Sequence, residues 1–431
     1  MSIAPSTRTA NFRYAIRNVV AAADALRRAG RDVISLNIGD PQAFGFRPPE
    51  YVTEPVALAL HDGFTGYASS SGLFEAREAV ASYAAATGVE TSVDDVLMTS
   101  GASEAADLVL TALLDPGDEV LLPAPGYPLY DAILNKLGAR ARYYKLYEKI
   151  GWQPDLDDVC SLVNSRTRAI VLINPSNPTG AIIPAETTAK FLEIAAANNL
   201  VVISDEVYRD LCFEAAPAPA SLLALGTRVP VITLESLSKT HMLSGWRVGW
   251  MRFTNSAAMP RLIEAINRLA SGRLCSPTPG QYAVRPALTG AASILRASGE
   301  QDAHHSRPSL FVENFMSEIK IRRDLAVRRV AEIEGLSCTV PQAAFYLMVK
   351  VENLDGRTDE HFALDLLRET GVLVVHGSGF GTEPTEGYFR LVYLAEEAML
   401  NQAFDGIRSV IENRQYLRSE GSAGLRPASP M

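Results

Sequence analysis

Between residues 96 and 236 the chain alternates short apolar runs with amphipathic stretches, and no other feature limits its fold so strongly. "DVLMTSG" reads as a strand and "ASEAADLVLTALL" as a helix that stops at the turn "DPGD". Strand "EVLLP", helix "YPLYDAILNKLG", strand "ARARYYKL", helix "DLDDVCSLV" and strand "RAIVLIN" follow. Helix "PAETTAKFLEIAAANN" and strands "LVVIS" and "PVITLES" complete the series. A helix between two strands carries the chain back to the end of the sheet where it started, so such strands pair in parallel. The expected fold is α/β, with a large domain whose mostly parallel sheet is flanked by helices.

The two ends of the chain break this rhythm. Before about residue 55 there is one arginine-bearing helix and "VISLNIGDP"; after about residue 309, "GLSCTVPQAAFYLMVKV", "GVLVVHGSGF" and "YFRLVYL" mix with helices. A smaller α+β domain built from both ends is expected. The boundaries are a contributing segment at 1–55, the large domain at 56–309, the small domain at 310–418 and a disordered tail at 419–431. The polar stretch 290–309 reads as a loop or surface excursion, and the Gly, Ser, Pro and Ala of the tail lack any periodicity.

Composition narrows the function. The 431 residues are 47% hydrophobic and 21% charged, enough for a large core, and a net charge of −9 without a basic stripe argues against nucleic acid as a partner. No run is long enough for a membrane span or a signal peptide. Cys160, Cys212, Cys275 and Cys338 lie far apart, without metal-ligand spacing, and are expected as reduced thiols of a cytoplasmic protein. A small molecule is the expected ligand.

In open parallel sheets, ligands bind beyond the carboxyl ends of the strands. At those ends stand Ser100, Gly101 and Ala102; the loop "NPSNPTG" with Asn177; Asp205 and Tyr208; and Ser236 followed by Lys239. Lys239 stands out because the chain uses 7 lysines against 33 arginines. A lysine amine can lose its proton and become a nucleophile, which a guanidinium cannot. Each of these residues also has a structural explanation, as a cap, a turn or a surface charge. Together, a carboxylate, an amide, a phenol, a helix-terminal Ser-Gly pair, a lysine and the nearby Arg247 suit a planar cofactor with a pyridinium, a phenolate, a phosphate and an aldehyde.

"NPSNPTG", "SDEVY" and "SLSKTHMLSGWRVG" resemble the signature segments of the fold-type I, class I/II aminotransferases, which use pyridoxal 5′-phosphate. The resemblance runs from about residue 12 to about residue 410. Within the family, "YAIRNVV", "LNIGDPQAFGFRPPE", "GDEVLLPAPGYPLY", "RLCSPTPGQ" and "VVHGSGFG" are most similar to the alanine (glutamate-pyruvate) enzymes. It implies that Lys239 attaches to the cofactor aldehyde, is released by substrate and shuttles the α-proton. Asp205 would pair with the pyridinium nitrogen, and Asn177 and Tyr208 would donate to the phenolic oxygen. Ser100, Gly101, Ala102, Ser236 and Arg247 would hold the phosphate, and Tyr127 would stack on the ring. Tyr67 would reach the cofactor phosphate of a second subunit in a homodimer with shared sites. Arg390, with Gly39 and Asn177, would bind the α-carboxylate of the amino acid or 2-oxo acid, and Arg273 the second carboxylate of glutamate.

Three departures from the family pattern are visible. Ala102 replaces a hydroxyl residue, "PQAAFY" puts Ala343 and Ala344 where a glycine is usual, and the 290–309 stretch is long. The competing readings are an aminotransferase for aspartate, aromatic or branched donors, and a lyase or decarboxylase on the same fold, because the cofactor alone does not choose the bond that breaks. A dinucleotide site at "HGSGFG" fails, since Thr382 stands where the third glycine is needed. A regulator would need a DNA-binding module, for which the residues before 12 are too few.

Overall fold

The computed structural model of the chain describes residues 3–6, 15–86, 88–213, 228–290 and 310–423. Most of the 290–309 excursion and the end of the tail, 424–431, lie outside the described residues. The chain divides into two compact units, one of Met1–Arg13, Asp40–Glu318 and Gln342–Ala344, the other of Tyr14–Gly39, Ile319–Pro341 and Phe345–Met431. The strands are, in chain order, β1 (Ile34–Ser35), β2 (Val96–Ser100), β3 (Glu119–Ala124), β4 (Arg140–Tyr147), β5 (Gln153–Pro154), β6 (Thr167–Ile173) and β7 (Val201–Asp205). They continue as β8 (Val231–Ser236), β9 (Val248–Thr254), β10 (Leu336–Cys338), β11 (Tyr346–Val351), β12 (Val372–Leu373), β13 (Val375–His376) and β14 (Tyr388–Val392).

The larger unit holds one eight-stranded sheet in the order β2-β9-β8-β7-β6-β3-β4-β5. Its middle, from β8 to β4, is parallel, as the strand-helix alternation implies. β9 runs antiparallel between β2 and β8, and β5 closes the far edge antiparallel to β4. The sequence "VGWMRFT" of β9 is buried along nearly its whole length, so it lacks the alternation that marks a half-exposed strand. Because β9 opposes both neighbours, β2 ends on the same side of the sheet as β8, β7, β6, β3 and β4. Six strand ends therefore share one edge.

Side-chain alternation divides the residues of each strand between two cores. Leu97, Val120, Val171, Ile203, Leu234 and Met251 pack with the helices Ala102–Leu113, Leu129–Leu137 and Pro260–Gly272. Val96, Met98, Val248 and Trp250 face the other way, onto Glu50–His61, Phe74–Ala86 and Val284–Thr289.

The smaller unit carries an antiparallel sheet, β10-β11-β14-β13, and the parallel pair β1-β12. Ala15–Arg28, Asp359–Thr370 and Glu397–Ala423 are helical, the last extending into the stretch expected as a tail. No helix among the described residues is long and apolar enough to cross a membrane.

Candidate active site

The registers place the site residues before any side chain is considered. Ser100 lies opposite Val248 and Ser236 opposite Gly249, so the ends of β2 and β8 flank the first residues of β9. Asp205 ends β7, level with Ile173 of β6 and Leu234 of β8. The loop after β6 is tied to that end by the Asn174 N–H, which donates to Asp205 O at 3.0 Å. Ser236 then caps the four-residue helix Leu237–Thr240, its Oγ accepting from Ser238 N at 3.3 Å, and Lys239 sits half-buried on that turn.

Asp205 is the electrostatic centre of this edge. Its Oδ2 accepts from the Tyr130 hydroxyl at 2.9 Å and its Oδ1 from Val207 N at 3.4 Å. Burial pushes its carboxyl up to about 6; the Tyr130 and Val207 hydrogen bonds oppose that rise, and neighbouring Glu206 adds to it. Asn177 and Tyr208, at 5% exposure each, are buried on the loops after β6 and β7, and Tyr127 is partly buried three residues before Tyr130.

At the end of β2, Gly101 takes φ +76 and opens the twelve-residue helix Ala102–Leu113. A Cβ at Gly101 would stand 2.6 Å from Arg247 Nη2 and 2.9 Å from its Cζ, so the absence of a side chain is what lets the guanidinium lie against the backbone. Arg247 donates from Nη2 to Ser100 O at 3.3 Å and from Nη1 to Ser244 O at 3.0 Å, with its own backbone left-handed at φ +56. A helix N-terminus, a glycine that admits close approach, the Ser236 hydroxyl and a guanidinium form a donor set for a dianionic phosphate. These residues, with an acidic group at Asp205 and an amine at Lys239 along the same edge, fit pyridoxal 5′-phosphate. Ala102 contributes backbone only, as its side chain requires.

The remaining expected residues fall elsewhere. Tyr67 is 83% exposed on the larger unit. Ala343 and Ala344, also in the larger unit, are buried, with Ala343 N donating to Gly180 O at 2.9 Å and Ala344 N to Leu211 O at 2.8 Å. In the smaller unit Arg390 is only 1% exposed, on β14 between β11 and β13. Its guanidinium lies 4.5 Å from the Tyr346 ring centre and 4.6 Å from that of Phe380, and Nη2 donates to Asn37 O. It is no strand-edge surface charge. A Cβ at Gly39 would fall 2.6 Å from Phe345 Cε2 and against the Tyr346 hydroxyl, so no larger residue fits there.

Arg273, expected at the substrate side chain, pairs with Glu104, Nε to Oε1 at 3.0 Å, and donates from Nη2 to Met98 O at 2.8 Å. Tyr130 and Glu104 were not singled out by the sequence.

Residues 31–407 match the family model described as aminotransferase class I and II. Glutamate-pyruvate aminotransferase AlaA of Escherichia coli K12 is 35% identical over 397 residues, 91% of this chain and 94% of that protein. The protein of the same name from Haemophilus influenzae is 35% identical over 385 residues, 88% of this chain and 90% of its own. Among solved structures, alanine aminotransferase from Pyrococcus furiosus superposes with a TM-score of 0.88 at 39% identity, covering 95% of this chain and all of that one. With its fold, its cofactor-shaped edge and these relatives in agreement, the chain belongs to the class I and II aminotransferases and is a transaminase that uses pyridoxal 5′-phosphate.

Proposed function

We propose that the chain moves an amino group reversibly between L-alanine and 2-oxoglutarate, giving pyruvate and L-glutamate. The observation that carries this choice is the 35–39% identity, over nearly full length, to proteins named glutamate-pyruvate or alanine aminotransferase. Bound cofactor supplies an aldehyde carbon and an electron-accepting ring. Lys239 is the amine that would hold the cofactor aldehyde, and its Nζ would carry the substrate α-proton. Asp205 holds the ring nitrogen in its charged form, and Tyr130 holds Asp205. Asn177 and Tyr208 donate to the phenolic oxygen, Tyr127 covers the ring, and Ser100, Gly101, Ala102, Ser236 and Arg247 hold the phosphate.

Arg390 takes the substrate α-carboxylate. Its guanidinium is fixed between two aromatic rings, so the planar fork is oriented before substrate arrives. Gly39, in the same unit, completes that contact.

A homodimer with shared sites is part of the same reading. Leu58, Leu60, Phe64, Tyr67 and Phe74 are all at least half exposed within 17 residues, an apolar belt suited to a second copy. Four free thiols fit a cytoplasmic setting.

A panel of amino donors and 2-oxo acid acceptors against the purified enzyme tests the choice of substrate. Alanine with 2-oxoglutarate should give the highest kcat/KM. A higher value for aspartate or an aromatic donor would reassign the substrate within the family. Arg390→Lys, which keeps charge and loses the fork, should weaken every donor by a similar ~1.5–3 kcal/mol.

A further inference from the structure

Ser100 is gripped at both of its backbone polar groups. Its carbonyl accepts from Arg247, while its N–H donates to Glu104 Oε2 at 2.7 Å. Glu104 lies in the first turn of the helix that Gly101 opens, and its carboxylate bends back onto the strand end. A carboxylate there is electrostatically awkward, because the same helix end is the proposed seat of a phosphate dianion. Arg273 meets the difficulty. From the C-terminal end of the helix Pro260–Gly272 it pairs with Glu104 Oε1 and also donates to Met98 O, two residues before Ser100 on β2. Met98 O, Arg273, Glu104 and Ser100 N thus form a continuous chain of contacts. It ties the last turn of one helix to the strand end and to the first turn of another. Both charged side chains are largely covered, at 17% and 22% exposure, so their attraction is only partly screened by water.

We propose that Arg273 and Glu104 are a positioning pair for the phosphate cup. Glu104 sets the orientation of the Ser100 peptide, and Arg273 neutralises Glu104 so that this does not repel the phosphate. The proposal rests on reading Ser100–Ala102 as the phosphate site. It also gives Arg273 a role in cofactor affinity in place of contact with the substrate side chain. Arg273 Nη1 has no hydrogen-bond partner among the described residues, and a direct substrate contact would use that atom, so the test includes substrate readouts.

The experiment measures pyridoxal phosphate affinity by equilibrium dialysis of holoenzyme, with the thermal midpoint and the KM values for glutamate and alanine in parallel. Arg273→Ala should weaken cofactor binding about tenfold, as expected for a carboxylate left unpaired beside an anion. The double variant Glu104→Gln with Arg273→Ala should recover most of that loss, because glutamine still accepts from Ser100 N–H without the charge. The ratio of the two KM values should not move. Unchanged cofactor affinity in Arg273→Ala overturns the proposal; if Gly101→Ala weakens binding in the same assay, the phosphate cup stands, and if neither does, the cup is misplaced. A selective rise in the glutamate KM overturns it in favour of substrate contact. A lowered thermal midpoint with unchanged cofactor affinity overturns it in favour of a purely structural role. Should Arg273→Ala not fold, Glu104→Gln decides alone: tighter cofactor binding, from the Arg273 charge left uncompensated near the phosphate, supports charge compensation, and unchanged or weaker binding refutes it.

Discussion

Replacing Tyr130 by phenylalanine removes one oxygen from a fully covered side chain and leaves Asp205 Oδ2 without its 2.9 Å donor. A hydrogen bond to a charged acceptor contributes about 1.5–3 kcal/mol. At 1.36 kcal/mol per pKa unit, its loss should carry the Asp205 carboxyl from about 6 to roughly 7–8 in the cofactor-free protein. The assay is difference infrared spectroscopy of the cofactor-free enzyme across pH, with Asp205→Asn marking the band that belongs to this group. Stability gives a second reading with a definite sign. A carboxyl raised from 3.8 to about 6 keeps its proton longer in the folded protein than in the unfolded one. Its contribution to cofactor-free stability is therefore greatest below pH 4, falls as pH rises from about 4 to 6, and is lower by about 3 kcal/mol above that. In Tyr130→Phe the decline should extend upward by one to two pH units. An unchanged titration in the variant would refute the view that Tyr130 sets the ionisation of Asp205.

Gly101→Ala places a Cβ 2.6 Å from Arg247 Nη2 on a φ of +76, so the guanidinium must leave the loop; pyridoxal phosphate affinity should fall at least tenfold, measured by dialysis, and an unchanged affinity would contradict the phosphate assignment. Glu235 is buried with Arg252 Nε at 2.6 Å, Arg209 Nη1 at 3.0 Å and the Trp250 indole N–H at 2.9 Å. Burial raises its carboxyl, but the two arginines and the hydrogen bonds outweigh that and hold it at about 2. Its contribution to stability is present above about pH 4.5 and lost as pH falls toward 2. Arg252→Met should cost about 3–5 kcal/mol at pH 7 in denaturant unfolding, and a cost below about 1 would show that Arg209 suffices.

The parallel strands and their helices were legible because their apolar periods are clean and their turns are marked by Gly, Pro and Asp. The chemistry at the strand ends was legible for the same reason: once the strands are known, Asp205, Asn177 and Lys239 fall at one edge. β9 escaped because Gly249 and Arg252 interrupt its apolar residues, whereas β6 and β7, buried about as fully, carry the unbroken apolar runs "AIVLI" and "VVI". Tyr130 and Glu104 escaped for a different reason. A tyrosine and a glutamate inside amphipathic helices look like ordinary helix residues, and only the fold aims Tyr130 at Asp205 and turns Glu104 back onto Ser100. Arg273 shows the converse. Its place beside "LCSPTPGQ" suggested a ligand contact, and only the fold shows that its guanidinium also pairs with Glu104 and donates to the Met98 carbonyl.

The role of Lys239 is open to a direct chemical measurement. Apart from Lys239 and Lys350, the chain's lysines are exposed, and Lys350 lies over the Tyr388 ring in the smaller unit. Borohydride reduction of the holoenzyme, followed by digestion and mass spectrometry, locates the amine that holds the cofactor. The expected result is a single phosphopyridoxyl label on Lys239, absent from Lys239→Ala. A label on any other lysine, or full transamination by Lys239→Ala, would contradict the assignment.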